Sequence, residues 1–231
     1  MENIFSLPLF VDSFPQLLSR LHMTLYIVAV ALLAGFLLGA GIALVRLHKV
    51  PVLAQLAVFY ISFVRGVPIL VLLYIVYIGL PLLVWAVWRI NINRWDALFF
   101  VMLAYIVNTS AFLSEIIRSA VSGVDIGQVE AAYSVGLTKW QTFRRVVAPQ
   151  AVQIALPALS NTVVALLKDT SLAFTLGIVD LVGAIKAIAN NTHRSLEAYS
   201  AAAIIFFVLS SLLEQGFKWG EKRLGIPKKL S

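Results

Sequence analysis

The run from Leu21 to Val45 limits the possible folds more than any other feature, because it contains no Asp, Glu, Lys or Arg. An α-helix of this length can cross a hydrocarbon core of about 30 Å. In lipid a backbone must satisfy its own hydrogen bonds, and a helix does so within one segment. We therefore predict a membrane-spanning helix over about 21–45.

Small residues recur at every fourth position of this run, which places them on one helix face. Such a face allows another helix to approach closely. The alternative is an ordinary scatter of small residues without a packing role. The residues concerned are Ala31, Gly35, Gly39 and Ala43.

The composition extends this interpretation to the whole chain of 231 residues. Hydrophobic residues make up 61% of it and charged residues 13%, whereas a soluble domain carries about 25% charged residues. We predict an all-α integral membrane protein with one transmembrane domain over 1–231. There are no cysteines, so disulfides and thiolate metal sites are excluded.

Four further apolar runs predict four more spanning helices. A short approach helix is expected before the second span, because Arg65, Gly66 and Pro68 interrupt the long apolar stretch there. The segment Phe174–Ile188 carries Asp180 and Lys186, and is expected to form a short helix on the outer side. The four spans cover about 68–88, 95–117, 151–167 and 196–213.

The net charge of +7 does not indicate nucleic-acid binding, because the basic residues cluster beside the apolar runs. They follow the positive-inside rule, and membrane lipid is the partner that they suggest. Counting them places the C-terminus in the cytoplasm and the N-terminus outside. The inner side holds Arg46, Lys49, Arg118, Lys139, Arg144, Arg145, Lys218, Lys222, Arg223, Lys228 and Lys229, and the outer side holds Arg20, Arg89, Arg94, Lys186 and Arg194.

A polar segment over about 118–150 separates the third and fourth spans. Asp125 is a suitable N-cap for a short helix through Val135, and Gly136 suits the left-handed residue that ends it. Thr138 and Gln141 have the spacing of a capping box, which predicts a second short helix. The segment is therefore expected to form two helices joined by a glycine elbow.

The second helix would present aromatic residues beside basic ones, since Trp140, Phe143 and Val147 follow helical spacing. Such a surface suits docking into the groove of a partner protein. The alternative is an amphipathic helix that lies on lipid headgroups. Its basic residues are Lys139, Arg144 and Arg145.

Charged residues at membrane depth are costly and often mark a substrate path. Lys168, Asp169, Thr170 and Ser171 supply groups for both ends of a zwitterion, although Lys168 and Asp169 could instead pair with neighbours at a helix end. Arg65 is a further substrate-contact candidate, with an interfacial anchor as the alternative.

Other charged and polar residues of the spans are expected to be structural. Glu115 and Arg118 are predicted to form a pair on one helix surface. Asn108, Thr109 and Ser110 are expected to make interhelical hydrogen bonds. His22, His48 and His193 lack the spacing of metal ligands. No catalytic constellation or phosphate-binding loop is present in the sequence.

Three separated segments resemble one family. The order Glu130, Ala131, Ala132, Gly136, then Leu156-Pro157 resembles the "EAA" loop of the membrane subunits of bacterial ABC importers. Two further stretches, FYISFVRGVPILVLLYIVYIGLP (59–81) and LPALSNTVVALLKDTSLA (156–173), are similar to the second-span and fourth-span signatures of its polar amino-acid uptake group. The resemblance covers nearly the whole chain. One departure is Ala148 before Pro149, where many members carry Leu.

The resemblance implies a type I permease fold with about five transmembrane helices and a cytoplasmic coupling helix, in the bacterial plasma membrane. It implies three partners: ABC ATPase subunits, a second permease copy or related chain, and an extracellular or periplasmic amino-acid-binding protein. The chain itself would bind no cofactor, and ATP would be used by the ATPase. The residues expected to couple to the ATPase are Glu130, Ala131, Ala132, Gly136, Trp140, Phe143 and Arg144.

Within this group, the stretch from Lys168 to Ala173 is similar to permeases for cystine and related sulfur amino acids. Two other classes of function fit a helical membrane protein. One is an ion-coupled carrier that works alone, although the sequence shows no inverted repeat of broken spans. The other is a membrane scaffold that recruits a partner without moving substrate.

Overall fold

The computed structural model describes residues 5–225, and over that range the chain forms nine helices and no strand. Five are long and apolar enough to cross a membrane: α2, α4, α5, α7 and α9. The nine helices are α1 (Leu7–Leu18), α2 (Leu21–Leu47), α3 (Leu53–Gly66), α4 (Ile69–Trp88), α5 (Ala97–Ser122), α6 (Ile126–Ser134), α7 (Lys139–Leu176), α8 (Leu181–Thr192) and α9 (Leu196–Arg223).

The bundle has two ends, which we name the α8 end and the α6 end after the short helices beside them. The α8 end holds the start of α2, since the backbone N–H of Leu181 donates to the Thr24 hydroxyl over 3.3 Å. The α6 end holds the C-terminal end of α2, where Arg46 pairs with Glu115 of α5. The end of α9 lies there too, because the Gln153 amide donates to the Leu224 carbonyl over 2.8 Å.

Helix α5 is the centre of the bundle, and it packs against α2, α3, α4 and α7. In its most apolar stretch 56% of the residues are buried, against 33% or less in the other four spanning helices. Phe100 and Tyr105 are among its largest buried side chains. The outward faces of the remaining helices are therefore left for lipid or for other subunits.

The packing of α2 on α5 depends on the small residues of α2, all four of which are buried. A Cβ at Gly39 would lie 2.8 Å from the Ser110 carbonyl oxygen, and one at Gly35 would lie 3.0 Å from the Thr109 side chain. Backbones this close leave no room for a larger residue. The packing interpretation of the four-residue repeat is confirmed.

Helix α7 differs most from the prediction, because it begins at Lys139 and not near residue 151. It runs through a π turn at Phe143–Val147 into the α-helix Ala148–Asp169 and ends as a 3-10 helix at Thr170–Leu176. Pro149 lies in the first turn after the π segment, where a missing backbone N–H disrupts little. The second short helix and the fourth span are thus one continuous helical element, which contains Pro157.

One predicted short helix has different bounds in the structure. The segment predicted as a helix over Phe174–Ile188 is divided, because Gly177 ends α7 in the left-handed conformation at φ +86°. Asp180 then caps α8, its Oδ1 accepting the Gly183 N–H over 2.8 Å. The approach helix before the second span is present as α3.

Helix α1 was not predicted, although Pro8 lies in its first turn as a helix-start signal. It packs on α8 and α9. The backbone N–H of Ser6 donates to Glu197 Oε1 over 2.9 Å, which joins the start of α1 to the start of α9. The Arg194 guanidinium lies 3.4 Å from the same carboxylate oxygen.

We predict that Gly39→Val destabilises the protein, because the added side chain meets the α5 backbone. Overpacking of this kind costs about 1–3 kcal/mol, and each kcal/mol shifts the Tm of a chain of this length by about 2–4 °C. Gly41→Val is the control, since a Cβ there has nothing within 4 Å. Thermal unfolding of both purified variants checks this, and equal melting temperatures would contradict it.

A second prediction concerns Asp180, which lies between α7 and α8 and is fully buried. Burial raises the pKa of this carboxyl from 3.8 to about 6. The folded state therefore holds the proton more tightly than the unfolded state, so Asp180 lowers stability as pH rises from about 4 to about 6. Asp180→Asn keeps an acceptor for Gly183 and carries no charge.

The stability gained by Asp180→Asn should therefore grow over that pH interval and stay level above it. Thermal unfolding of the variant and the parent protein in matched buffers measures this difference. A difference in melting temperature that does not change between pH 4 and pH 6 would contradict the prediction.

Candidate functional site

The segment between α5 and α7 forms a rigid elbow. Helix α6 is capped by Asp125, whose Oδ1 accepts the Gly127 N–H over 2.6 Å. It ends in a Schellman motif, in which Leu137 N–H donates to the Ala132 carbonyl over 3.1 Å and Gly136 N–H donates to the Tyr133 carbonyl over 2.9 Å. Gly136 has φ +84°, so the predicted left-handed glycine is confirmed.

Helix α7 starts with the predicted capping box immediately after the elbow. Gln141 N–H donates to the Thr138 hydroxyl over 3.3 Å, and Thr138 N–H donates to Gln141 Oε1 over 2.9 Å. Both helix ends that meet at Gly136 therefore have their backbone groups satisfied by local contacts. The turn between them is defined by hydrogen bonds, which favours a fixed angle.

The elbow exposes apolar side chains at the α6 end of the bundle. Trp140 is 67% exposed and Phe143 is 41% exposed, and their rings stack with centroids 6.0 Å apart. A clustered apolar surface of this kind marks a docking site more often than a solvated face. Three more large apolar side chains of the elbow are exposed: Ile126, Tyr133 and Val135.

The structure does not place all the predicted coupling residues on that surface. Glu130, Ala131, Gly136 and Arg144 are exposed beside it, whereas Ala132 is buried. The small side chain of Ala132 accordingly has a packing position within the elbow.

A cavity of about 260 Å³ lies between α5 and α7, and we call it the central cavity. Asp169 is half-buried in its wall. Thr109 is 2% exposed, and its hydroxyl oxygen has no hydrogen-bond partner among residues 5–225. The wall also carries two amide side chains beside the Asp169 carboxylate, and all three can hydrogen-bond to a ligand. The lining residues are Asn108, Thr109, Phe112, Asn161, Thr162, Ala165, Leu166 and Asp169.

Of the four consecutive residues predicted to contact substrate, the structure brings only Asp169 to this cavity. Lys168 is exposed and lies outside the lining, because adjacent helical residues point in different directions. Thr170 is buried, and its hydroxyl donates to the Leu167 carbonyl over 2.7 Å. Ser171 is half-buried and also lies outside the lining.

Sequence reasoning missed the amides and the aromatic ring of the central cavity. Asn161, Ala165 and Asp169 are spaced four residues apart and share one face of α7, so this signal was available. Asn108 was assigned to interhelical hydrogen bonding, but it lines the cavity. Asn108, Thr109 and Ser110 were all predicted to hydrogen-bond between helices. Ser110 does so, since its hydroxyl oxygen lies 2.6 Å from the Tyr60 hydroxyl oxygen of α3.

Arg65 belongs to a second cavity, of about 250 Å³, which we call the arginine cavity. Its guanidinium carbon lies 5.2 Å from the centroid of the Phe112 ring. The predicted pairing of Glu115 with Arg118 is confirmed, and Glu115 also pairs with Arg46 of α2. The arginine cavity is lined by Arg46, Val58, Ile61, Ser62, Arg65 and Glu115.

Comparison with known proteins places the chain in a family. Residues 31–225 match the family described as "Binding-protein-dependent transport system inner membrane component". The chain belongs to this family. It is therefore a membrane permease, and the predicted type I permease fold class is confirmed.

Individual relatives support the assignment. The permease is 42% identical to the L-cystine transport system permease protein TcyL of Bacillus subtilis (strain 168), over 97% of this chain and 93% of that protein. It is 36% identical to the nopaline transport system permease protein NocM of Agrobacterium fabrum (strain C58 / ATCC 33970), over 91% of this chain and 90% of the relative.

A solved structure agrees with the sequence relatives. The crystal structure of an amino acid ABC transporter with histidines contains a chain with a TM-score of 0.83 and 33% identity, which covers 95% of this permease and 99% of that chain. The permease is a multi-pass transport subunit of the inner membrane. Family membership implies an ATPase and a substrate-binding protein as its partners.

We predict that Gly136→Val abolishes transport while the permease still inserts and folds. A β-branched residue at φ +84° strains the backbone by about 1–3 kcal/mol, and relief of that strain changes the elbow angle. Gly136→Asn should retain more transport, because Asn tolerates the left-handed conformation. The measurement is ATP-dependent uptake beside membrane expression, with Gly216→Val in α9 as the control.

Gly216 is a suitable control because it has no positive φ and a Cβ there meets no atom within 4 Å. Unchanged uptake by Gly136→Val at normal expression would show that the elbow angle does not matter.

Proposed function

We propose that the permease is the transmembrane subunit of an ATP-driven ABC importer that moves a polar amino acid into the cytoplasm by alternating access. The observation that carries this proposal is the continuity of α7. One helix joins the exposed elbow, at Lys139, to the wall of the central cavity, at Asp169. A force applied at the elbow therefore reaches the cavity through one backbone.

The central cavity has the groups that an amino acid requires. The Asp169 carboxylate can accept the ammonium group in a charge-assisted hydrogen bond. The Asn108 and Asn161 amides supply donors for the carboxylate end. Phe112 contributes an apolar surface. This combination fits a small zwitterion better than a bare ion.

The proposed power stroke begins at the elbow, where the Trp140 and Phe143 rings dock into a groove of the ATPase. Closure of the ATPase on ATP moves α7 relative to the rest of the bundle and opens the central cavity outward. The Tyr105 hydroxyl of α5 donates to the Asp169 carbonyl over 2.6 Å, so this contact links the two walls at the α8 end. The α8 end is the outer end in this proposal, so outward opening has to break or rearrange this contact.

We place the α6 end in the cytoplasm, with the C-terminus inside and the N-terminus outside, because the basic residues cluster at that end. The whole chain acts as one transmembrane domain in this proposal.

A second permease copy, or a related chain, completes the pathway, and an extracellular or periplasmic binding protein delivers the amino acid. ATP is hydrolysed by the ATPase, and the permease binds no cofactor of its own.

L-cystine or a related sulfur amino acid is the proposed cargo, because a relative named as an L-cystine permease is 42% identical. A relative named for nopaline transport matches nearly as much of the chain. The cargo therefore has to be identified by a panel of amino acids.

The test is uptake by proteoliposomes that contain the permease, its ATPase and its binding protein. The importer accumulates one amino acid or a small group of them, and only when ATP and the binding protein are both present. Uptake driven by an ion gradient without ATP would show an ion-coupled carrier. No uptake by a complex that nevertheless assembles would indicate a scaffold, and either result overturns the proposal.

We predict that Asp169→Asn weakens transport of the identified amino acid. Loss of one charge-assisted hydrogen bond corresponds to about a tenfold or greater fall in the ratio of maximal rate to half-saturating concentration. The control is Asp12→Asn, which changes an exposed carboxylate of α1. If this ratio, measured by ATP-dependent uptake at normal expression, does not change, Asp169 does not belong to the proposed site.

A further inference from the structure

The central cavity and the arginine cavity lie along one face of α5. Asn108, Phe112 and Glu115 are spaced by four and then three residues, which puts their side chains in one row. Asn108 and Phe112 line the central cavity, and Glu115 lines the arginine cavity. Along the helix axis Glu115 is about 10 Å from Asn108, since each residue advances about 1.5 Å.

The row leads towards the elbow, because α5 runs from Ala97 at the α8 end to Ser122 at the α6 end. A solute that leaves the central cavity for the α6 end along this face passes Phe112 and then reaches the arginine cavity. The two volumes are nearly equal, about 260 and 250 Å³. The two cavities therefore offer similar space to a solute.

The chemistry of the arginine cavity is cationic and partly unused. Glu115 is shared by Arg46 and Arg118, so two cations meet one carboxylate. Arg65 adds a third cation, and among residues 5–225 it makes no hydrogen bond or ion pair and only rests on Phe112. Its five N–H donors remain available for a planar oxyanion such as a carboxylate.

We propose that the arginine cavity is an exit subsite, in which Arg65 receives the carboxylate of the amino acid after it leaves the central cavity. The Phe112 ring lines the central cavity and contacts Arg65, so it separates the two sites. Asp169 holds the ammonium on one side of this ring, and Arg65 attracts the carboxylate on the other. The amino acid thus leaves with its carboxylate first. This inference rests on the proposed function.

A lipid phosphate is the competing occupant of a cationic cavity at this depth. The groove that suits an acyl chain lies elsewhere, on the opposite side of α3, where Leu53, Leu56 and Tyr60 face α2. Val58, Ser62 and Arg65 point from α3 into the arginine cavity. A lipid in the apolar groove would therefore have α3 between its tail and Arg65, which favours the amino acid as the occupant.

The absence of cysteine from the chain makes the exit subsite directly testable. Ser62→Cys places one thiol in the wall of the arginine cavity, and its reaction with a small thiol reagent is followed in the complete complex. We expect the amino acid identified by uptake to slow the labelling. Adding Arg65→Gln should raise the concentration needed for protection about tenfold, as expected for the loss of one charge-assisted contact.

Gln55→Cys is the matched control, because Gln55 is exposed on the same helix and lines neither cavity. Its labelling should not change with the amino acid.

Arg65→Gln should also lower the maximal rate of ATP-dependent uptake and leave the half-saturating concentration unchanged, since loading occurs in the central cavity. Arg89→Gln, which removes a cation stacked on Trp85 at the α8 end, should leave uptake unchanged.

The outcomes separate the two proposals. If the wild-type complex imports no amino acid, the proposed function fails and the exit subsite fails with it. If the complex imports an amino acid that does not protect Ser62→Cys, the function stands and the subsite is wrong. If vesicles of phosphatidylglycerol protect the thiol and the amino acid does not, the cavity is a lipid headgroup site and the inference is overturned.

Discussion

The close approach of α2 and α5 is the contact on which the rest of the bundle depends. Gly35 and Gly39 let the α2 backbone lie against Thr109 and Ser110 of α5, and α7 packs beside them on a neighbouring face of α5. Lipid tails are as apolar as these side chains, so no hydrophobic driving force brings apolar helices together in a membrane. Close packing of this kind is therefore a main source of stability there. Helix α5, which carries the row of Asn108, Phe112 and Glu115, is therefore held in a defined position.

The second organising feature is that the elbow and the fourth spanning helix are one structure. A hinge between them would absorb motion, but the π turn at 143–147 carries helical hydrogen bonding past Pro149. The left-handed Gly136 separates α6 from α7, and two satisfied helix ends meet there. This arrangement suits a part that transmits displacement over a distance.

Local signals in the sequence predicted local structure well, and contacts between distant residues were harder to predict. The caps at Asp125 and Thr138 and the left-handed Gly136 follow from the preferences of single residues, and all are confirmed. The pairing of Glu115 with Arg46, 69 residues apart, has no local signature. The cavity was missed in part because Asn108 and Asn161 suit hydrogen bonding between helices equally well, and only the relative rotation of α5 and α7 decides between the roles.

The bond between the Ser6 backbone and Glu197 has a consequence for biogenesis. These residues are 191 positions apart, so when α1 leaves the ribosome its docking partner has not been synthesised. The contacts between α1 and α9 can therefore form only after the last spanning helix has been synthesised. Docking of α1 onto α9 would then report that the last spanning helix is in place, and truncation before Glu197 would leave α1 with only its contacts to α8 and α2.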